Sequence, residues 1–126
     1  MAEDLEKAIL VVDDERDVLL LFHMLLKRKF QTCHVAVNGN EALEIIRQGH
    51  HIDCVITDIS MPDMDGFQLK AQLDVLLPEV PVIGVTGHSD EEFREKMYAA
   101  GFKHIVVKPV DRNKLHQILD IVARSN

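Results

Sequence analysis

The chain has 126 residues, is 47% hydrophobic and 28% charged, and carries a formal net charge of −7. That length supports one hydrophobic core without disulfides or a structural metal, and the acidic balance argues against a domain that tracks nucleic acid, which needs a basic face. The densest apolar run, residues 18–26, is broken by His23 and falls far short of the roughly 20 residues of a membrane-spanning helix, so neither a membrane nor nucleic acid is an expected partner.

Residues 1–7 are polar and read as a short leader to a single domain spanning 1–126. AILVV, residues 8–12, is an unbroken apolar run, the pattern of a strand buried on both faces. Residues 15–29 place apolar side chains at helical spacing, with Val18, Leu21, Phe22 and Leu25 inward and Leu20 and Met24 opposite them. Residues 31–37 form a second strand, and Asn38-Gly39-Asn40-Glu41 is a capped start for a helix over 42–48. Residues 53–57 form a third strand, followed by a Met61-Pro62 bend and an Asp65-Gly66 turn. A helix over 67–77 turns Leu69, Leu73, Leu76 and Leu77 inward and stops before Pro78. PVIGVT, residues 81–86, is a fourth strand; Ser89-Asp90-Glu91-Glu92 reads as a capping box for a helix ending at Gly101. Residues 104–107 form a fifth strand, and Asp111 caps a last helix reaching residue 123. Cys33 and Cys54 lie in strand-like apolar surroundings without zinc-site spacing, which predicts buried, reduced thiols in a cytoplasmic protein.

Strands and helices alternate five times, so the expected fold is α/β: a doubly wound, five-stranded parallel sheet with helices on both faces. Ligands of such sheets bind beyond the carboxyl ends of the strands, at the switch point in strand order. Those ends hold Asp13 and Asp14 on the first strand, Asp58 on the third, Thr86 on the fourth, and Lys108 followed by Pro109 on the fifth. Singly, each has a structural explanation: helix capping for the first two acids, a turn for Asp58, packing for Thr86, surface exposure for Lys108. Jointly they point to one cleft. Three carboxylates cannot all ionise there without counter-charge, so either some keep their protons or cations fill the site. Lys108 supplies one positive charge, and a hard divalent ion, Mg²⁺ or Mn²⁺, suits the all-oxygen set.

At these residues the chain resembles the receiver domain of bacterial two-component response regulators over essentially its whole length. VVDDE at 11–15, TDISMPDMDG at 57–66, VTG at 85–87 and VVKP at 106–109 carry the likeness. They stand in order, with 44 residues from Asp14 to Asp58, 28 to Thr86 and 22 to Lys108. The resemblance implies a flavodoxin-like three-layer sandwich and a phosphorelay switch. Asp58 is then the phosphoacceptor, and Asp13, Asp14, Asp58 and the Ser60 backbone carbonyl the Mg²⁺ set, Asp13 acting mainly through water. Lys108 and Thr86 contact phosphoryl oxygens, the Ile59 and Gly87 N–H groups are further donors, and a cis peptide before Pro109 aims Lys108 inward. The family's switch also uses an aromatic residue three positions before the lysine. Here that position is Ile105, which has no ring and a stiff χ1, so a shift of the loop Gly87-His88-Ser89 with a smaller rearrangement at Ile105 is expected.

The partner implied is a histidine kinase or phosphotransfer domain, with the exposed Leu20/Met24 pair as its contact; the downstream target or dimer partner cannot be read. The chain is then not an enzyme, beyond accepting and losing its own phosphoryl group. A pseudo-receiver, an interaction module that does not use phosphorylation, is the alternative. A third class, aspartate-nucleophile phosphatases of the haloacid dehalogenase kind, carries an acid two residues after the nucleophile, where this chain has Ser60. His88, two positions after Thr86, sits at the mouth of the site. His50 and His51 lack the accompanying acid or cysteine spacing of a metal pair.

Overall fold

The computed structural model describes residues 5–124, and in it the alternation read from periodicity is complete. In chain order the elements are β1 (Leu5–Val12), α1 (Arg16–Leu26), β2 (Phe30–Ala36), α2 (Gly39–Arg47), β3 (Cys54–Asp58), α3 (Gly66–Leu76), β4 (Val82–Thr86), α4 (Glu91–Ala99), β5 (His104–Val107) and α5 (Arg112–Arg124). The strands form one parallel sheet in the order β2-β1-β3-β4-β5, the doubly wound arrangement in which direction of travel reverses between β1 and β3. Side chains alternate faces along each strand, and the core divides accordingly. Leu10, Val12 and Val55 pack under α2, α3 and α4 with Leu43, Leu69, Leu73 and Met97. Ile9, Val11, Ile56, Ile83 and Val85 pack under α1 and α5 with Leu19, Phe22, Leu26, Ile118 and Val122. Both cysteines are free thiols; Cys54 is buried, whereas Cys33, expected to be buried, is half-buried, and burial pushes Cys33 up to about 11 and Cys54 up to about 12. Among the described residues no helix is long and apolar enough to cross a membrane.

Several local expectations are corrected. β1 begins at Leu5, so the second half of the polar leader is strand, with Leu5 opposite Phe30; the ladder pairs backbone groups and does not require apolar side chains. Residues 1–4 lie outside the described part. On α1 the buried residues are Leu19, Phe22 and Leu26, while Leu21 (52% exposed) and Leu25 (44%), expected inward, face outward with Leu20 and Met24. On α3, Leu76 is exposed, and only Leu69 and Leu73 of the four leucines are buried. Asp65-Gly66 is a helix start rather than a free turn: Asp65 accepts from Gln68 N–H while the Gln68 side chain accepts from Asp65 N–H, a full capping box. The box expected from Ser89 is replaced by a single cap one residue later, Asp90 accepting from Phe93 N–H. Asn38 and Asp111 cap α2 and α5 as their sequence context predicts.

Candidate functional site

Asp58 ends β3 in register with Val85 of β4, and Asp13 follows directly after β1, whose Val12 is opposite Thr57. The two acids therefore meet at the carboxyl edge where strand order reverses. Both are buried, Asp13 at 1% exposure and Asp58 at 5%, whereas Asp14 is solvent-exposed. One carboxylate oxygen from each of Asp13, Asp14 and Asp58 lies within 4.8 Å of the other two. Lys108, at the end of β5 and followed by a cis peptide to Pro109, places its Nζ 3.2 Å from Asp58 Oδ2 and 3.5 Å from Asp13 Oδ2. The same ammonium is 3.4 Å from Glu15 Oε1, a partner with no signal in the sequence, since Glu15 lies past the strand end at the start of α1. The remaining Asp13 oxygen, Oδ1, accepts from Glu15 N–H at 2.9 Å, which ties the first acid to the start of α1.

The loop carrying Asp58 is held closely. Ile59 N–H donates to Val85 C=O at 3.1 Å, and Gly66 N–H donates to Ile59 C=O at 2.8 Å. A β-carbon on residue 66 would stand 2.7 Å from both Asp58 O and Ile59 Cα, so only glycine lets α3 start against this loop. The Ile59 N–H, expected as a donor into the site, is thus already engaged in the sheet. Ser60 and Gly87 are exposed at the rim, Thr86 is buried at the end of β4, and its hydroxyl accepts from His88 N–H at 3.0 Å. Ile105 is half-buried and packs into the layer under α2, α3 and α4. The histidines before β3 go to different neighbours: His51 bonds Asp53 at 2.8 Å, and His50 lies against His34 of β2 with ring centroids 4.8 Å apart.

The electrostatics follow from that crowding. Burial, then the charge of Asp13, pushes the Asp58 carboxyl up to about 6, against the opposing pull of Lys108. Asp13 is raised as well, mainly by burial. For Lys108 burial favours the neutral amine, but Asp13, Asp58 and Glu15 outweigh it and raise its pKa. One ammonium shared among three acids leaves uncompensated negative charge, and the donors are all carboxylate oxygens. That set fits a hard divalent cation.

Residues 9–120 match the family model described as the response regulator receiver domain. The chain belongs to that family. Among relatives, this receiver domain is 34% identical over 118 residues to the signal transduction histidine-protein kinase BarA of Escherichia coli K12, covering 91% of this chain and 13% of the kinase. It is 35% identical over 118 residues to the two-component response regulator ARR12 of Arabidopsis thaliana, covering 93% of this chain and 20% of that protein. The chain thus spans a fifth or less of these two relatives. A CheY-like response regulator receiver domain protein from Methanospirillum hungatei JF-1 superposes with a TM-score of 0.84 at 28% identity, over 96% of this chain and 97% of that one. A receiver domain protein from Clostridium thermocellum gives 0.81 at 29% identity, over 92% and 93%.

Proposed function

We propose that this receiver domain is a phosphorylation-controlled switch that takes a phosphoryl group onto Asp58 from a histidine kinase or phosphotransfer protein. The observation that supports it most is the placing of the Asp58 carboxylate: buried, 3.2 Å from Lys108 Nζ, and clustered with two further acids at the sheet's switch point. In the transfer an Asp58 oxygen forms the new bond to phosphorus, and the phosphorus–nitrogen bond to the donor imidazole breaks with its electrons returning to that ring. Lys108 moves from its shared carboxylates to a phosphoryl oxygen, and the Thr86 hydroxyl donates to another. Asp13, Asp14 and Asp58, with the Ser60 carbonyl, would hold Mg²⁺, or Mn²⁺ in its place. When bound, the ion offsets the charge that phosphoryl oxygens bring to an acidic site. The chain acts on itself in this reading and turns over no separate substrate.

The donor's contact is read from α1. Leu20, Leu21, Met24 and Leu25 are all exposed, and Val18, Leu21, Phe22 and Leu25 line a groove whose far wall is Lys108, Pro109, Val110 and Leu115. A helix bearing a phosphohistidine, laid in this groove, would put its ring beside Lys108.

The test is intact-protein mass spectrometry after incubation with acetyl phosphate, with and without Mg²⁺, on the native chain and Asp58→Asn. One added phosphoryl group that needs both Mg²⁺ and Asp58 is expected. No adduct, where Mg²⁺ binding is separately demonstrated, would favour a donor-selective receiver or a pseudo-receiver that acts by contact alone.

A further inference from the structure

Ile105 stands at the place where the family's readout uses a ring, and the other side of the β4–α4 loop holds a chain of rings. The hydroxyl of Thr86 accepts from His88 N–H at 3.0 Å. The His88 ring lies on Phe93 in the first turn of α4, with centroids 4.3 Å apart and planes at 25°. Phe93 meets Phe67 of α3 edge-on at 5.9 Å, and Phe67 meets Phe102 at 6.1 Å and 80°. Lys96 Nζ sits 4.9 Å over the Phe67 ring. Phe102 is buried beneath β4 at Gly84, where an added β-carbon would come within 3.0 Å of its ring, and Gly84 is two residues before Thr86. The path from Thr86 through four rings therefore returns to the strand it started from.

We propose that Phe93 is a positioning residue for Thr86, acting through the stacked ring of His88, and that this ring chain carries the hydroxyl's movement to α3 and α4. The inference rests on Asp58 being the phosphoacceptor. Thr86 is buried and β-branched, so its hydroxyl reaches a phosphoryl group by rotating or shifting as a unit with the loop. His88 N–H donates to that hydroxyl oxygen and the His88 ring is stacked on Phe93, so a shift of the hydroxyl that keeps this bond moves the His88 backbone and loads the stack. Phe93 contacts Phe67 directly, so displacement passes to α3 without any ring on β5. The stack favours the loop position in which it forms.

The experiment follows the His88 ring protons by NMR in the native chain, free and with Mg²⁺ and beryllofluoride, beside Phe93→Leu and Phe93→Tyr. It is paired with the rate of phosphoryl acceptance from acetyl phosphate. A ring-current shift of His88 is expected in the free native chain and in Phe93→Tyr, absent from Phe93→Leu, and lost when beryllofluoride binds. Release of the resting loop is expected to raise the acceptance rate of Phe93→Leu roughly two- to tenfold, the range that follows from the strength of one aromatic pair, with Phe93→Tyr near native. A His88 shift that ignores beryllofluoride, or a Phe93→Leu rate equal to or below native, would overturn the positioning role while leaving the acceptor reading intact. Failure of any adduct to form on Asp58 would overturn both.

Discussion

Asp58 combines the burial of a core residue with the neighbourhood of a metal ligand, and the consequence is measurable without any phosphoryl donor. In the metal-free chain its carboxyl is raised to about 6 by burial and by Asp13, so the native state holds that proton more tightly than the unfolded chain does. An acid raised on folding adds stability at low pH, and that contribution declines as pH rises from the ordinary carboxylate range through about 6. At pH 7.5 the ionised Asp58 is a cost, and Asp13, raised in the same direction, adds to it. Asp58→Asn in the presence of a chelator is therefore expected to stabilise the fold at pH 7.5 by about 1–3 kcal/mol, and to have little effect at pH 4. Urea unfolding midpoints at the two pH values check this; equal effects at both would mean that Lys108 alone satisfies the site. Mg²⁺ is expected to reduce the difference by supplying the missing positive charge.

At the scale of elements, the junction of β3 with α3 depends on Gly66. Because a side chain there would meet backbone atoms at 2.7 Å rather than the end of a flexible side chain, Gly66→Ala must push α3 away from the acid. A loss of about 2–4 kcal/mol in stability is expected, with a fall in phosphoryl acceptance among the molecules still folded, both readable from one set of denaturation and mass-spectrometric samples. Legibility in the sequence also divides at this scale. The central strands were readable because β3 and β4 are short runs rich in β-branched residues and β1 ends in one, and the carboxyl-end residues because the strands set them in order. The facing of α1 was not, since residues 18–22 are apolar throughout and periodicity has no polar residue by which to orient them. Tertiary packing chose Leu19, Phe22 and Leu26. The Glu15–Lys108 pair and the contacts among Phe67, Phe93 and Phe102 join separate elements, and no local spacing encodes them.

Across the whole molecule, one end of the sheet carries the acidic cluster, one flank the apolar groove beside α1 and the other flank the ring chain. The proposed donor groove shares Lys108 with the acidic cluster, but its α1 wall takes no part in the cluster, so contact and acceptance can be tested apart. Leu25→Asp alters a residue that is 44% exposed and lines the groove, so it is expected to slow transfer from a phosphotransfer protein about tenfold or more, while acceptance from acetyl phosphate stays near native. Equal slowing with both donors would place the effect in the fold instead. The bonds that hold the two loops beside the acidic cluster set a further asymmetry. The loop after β3 is closed by backbone bonds at both ends, Ile59 to Val85 and Gly66 to Ile59, whereas the loop after β4 is held at His88 by a side-chain hydroxyl and a ring stack. Opening the first disrupts the sheet; opening the second disturbs contacts that can reform independently of it. On the proposed reading, the acid that takes the phosphoryl group is fixed with the sheet, while the loop that answers it can shift without the sheet opening.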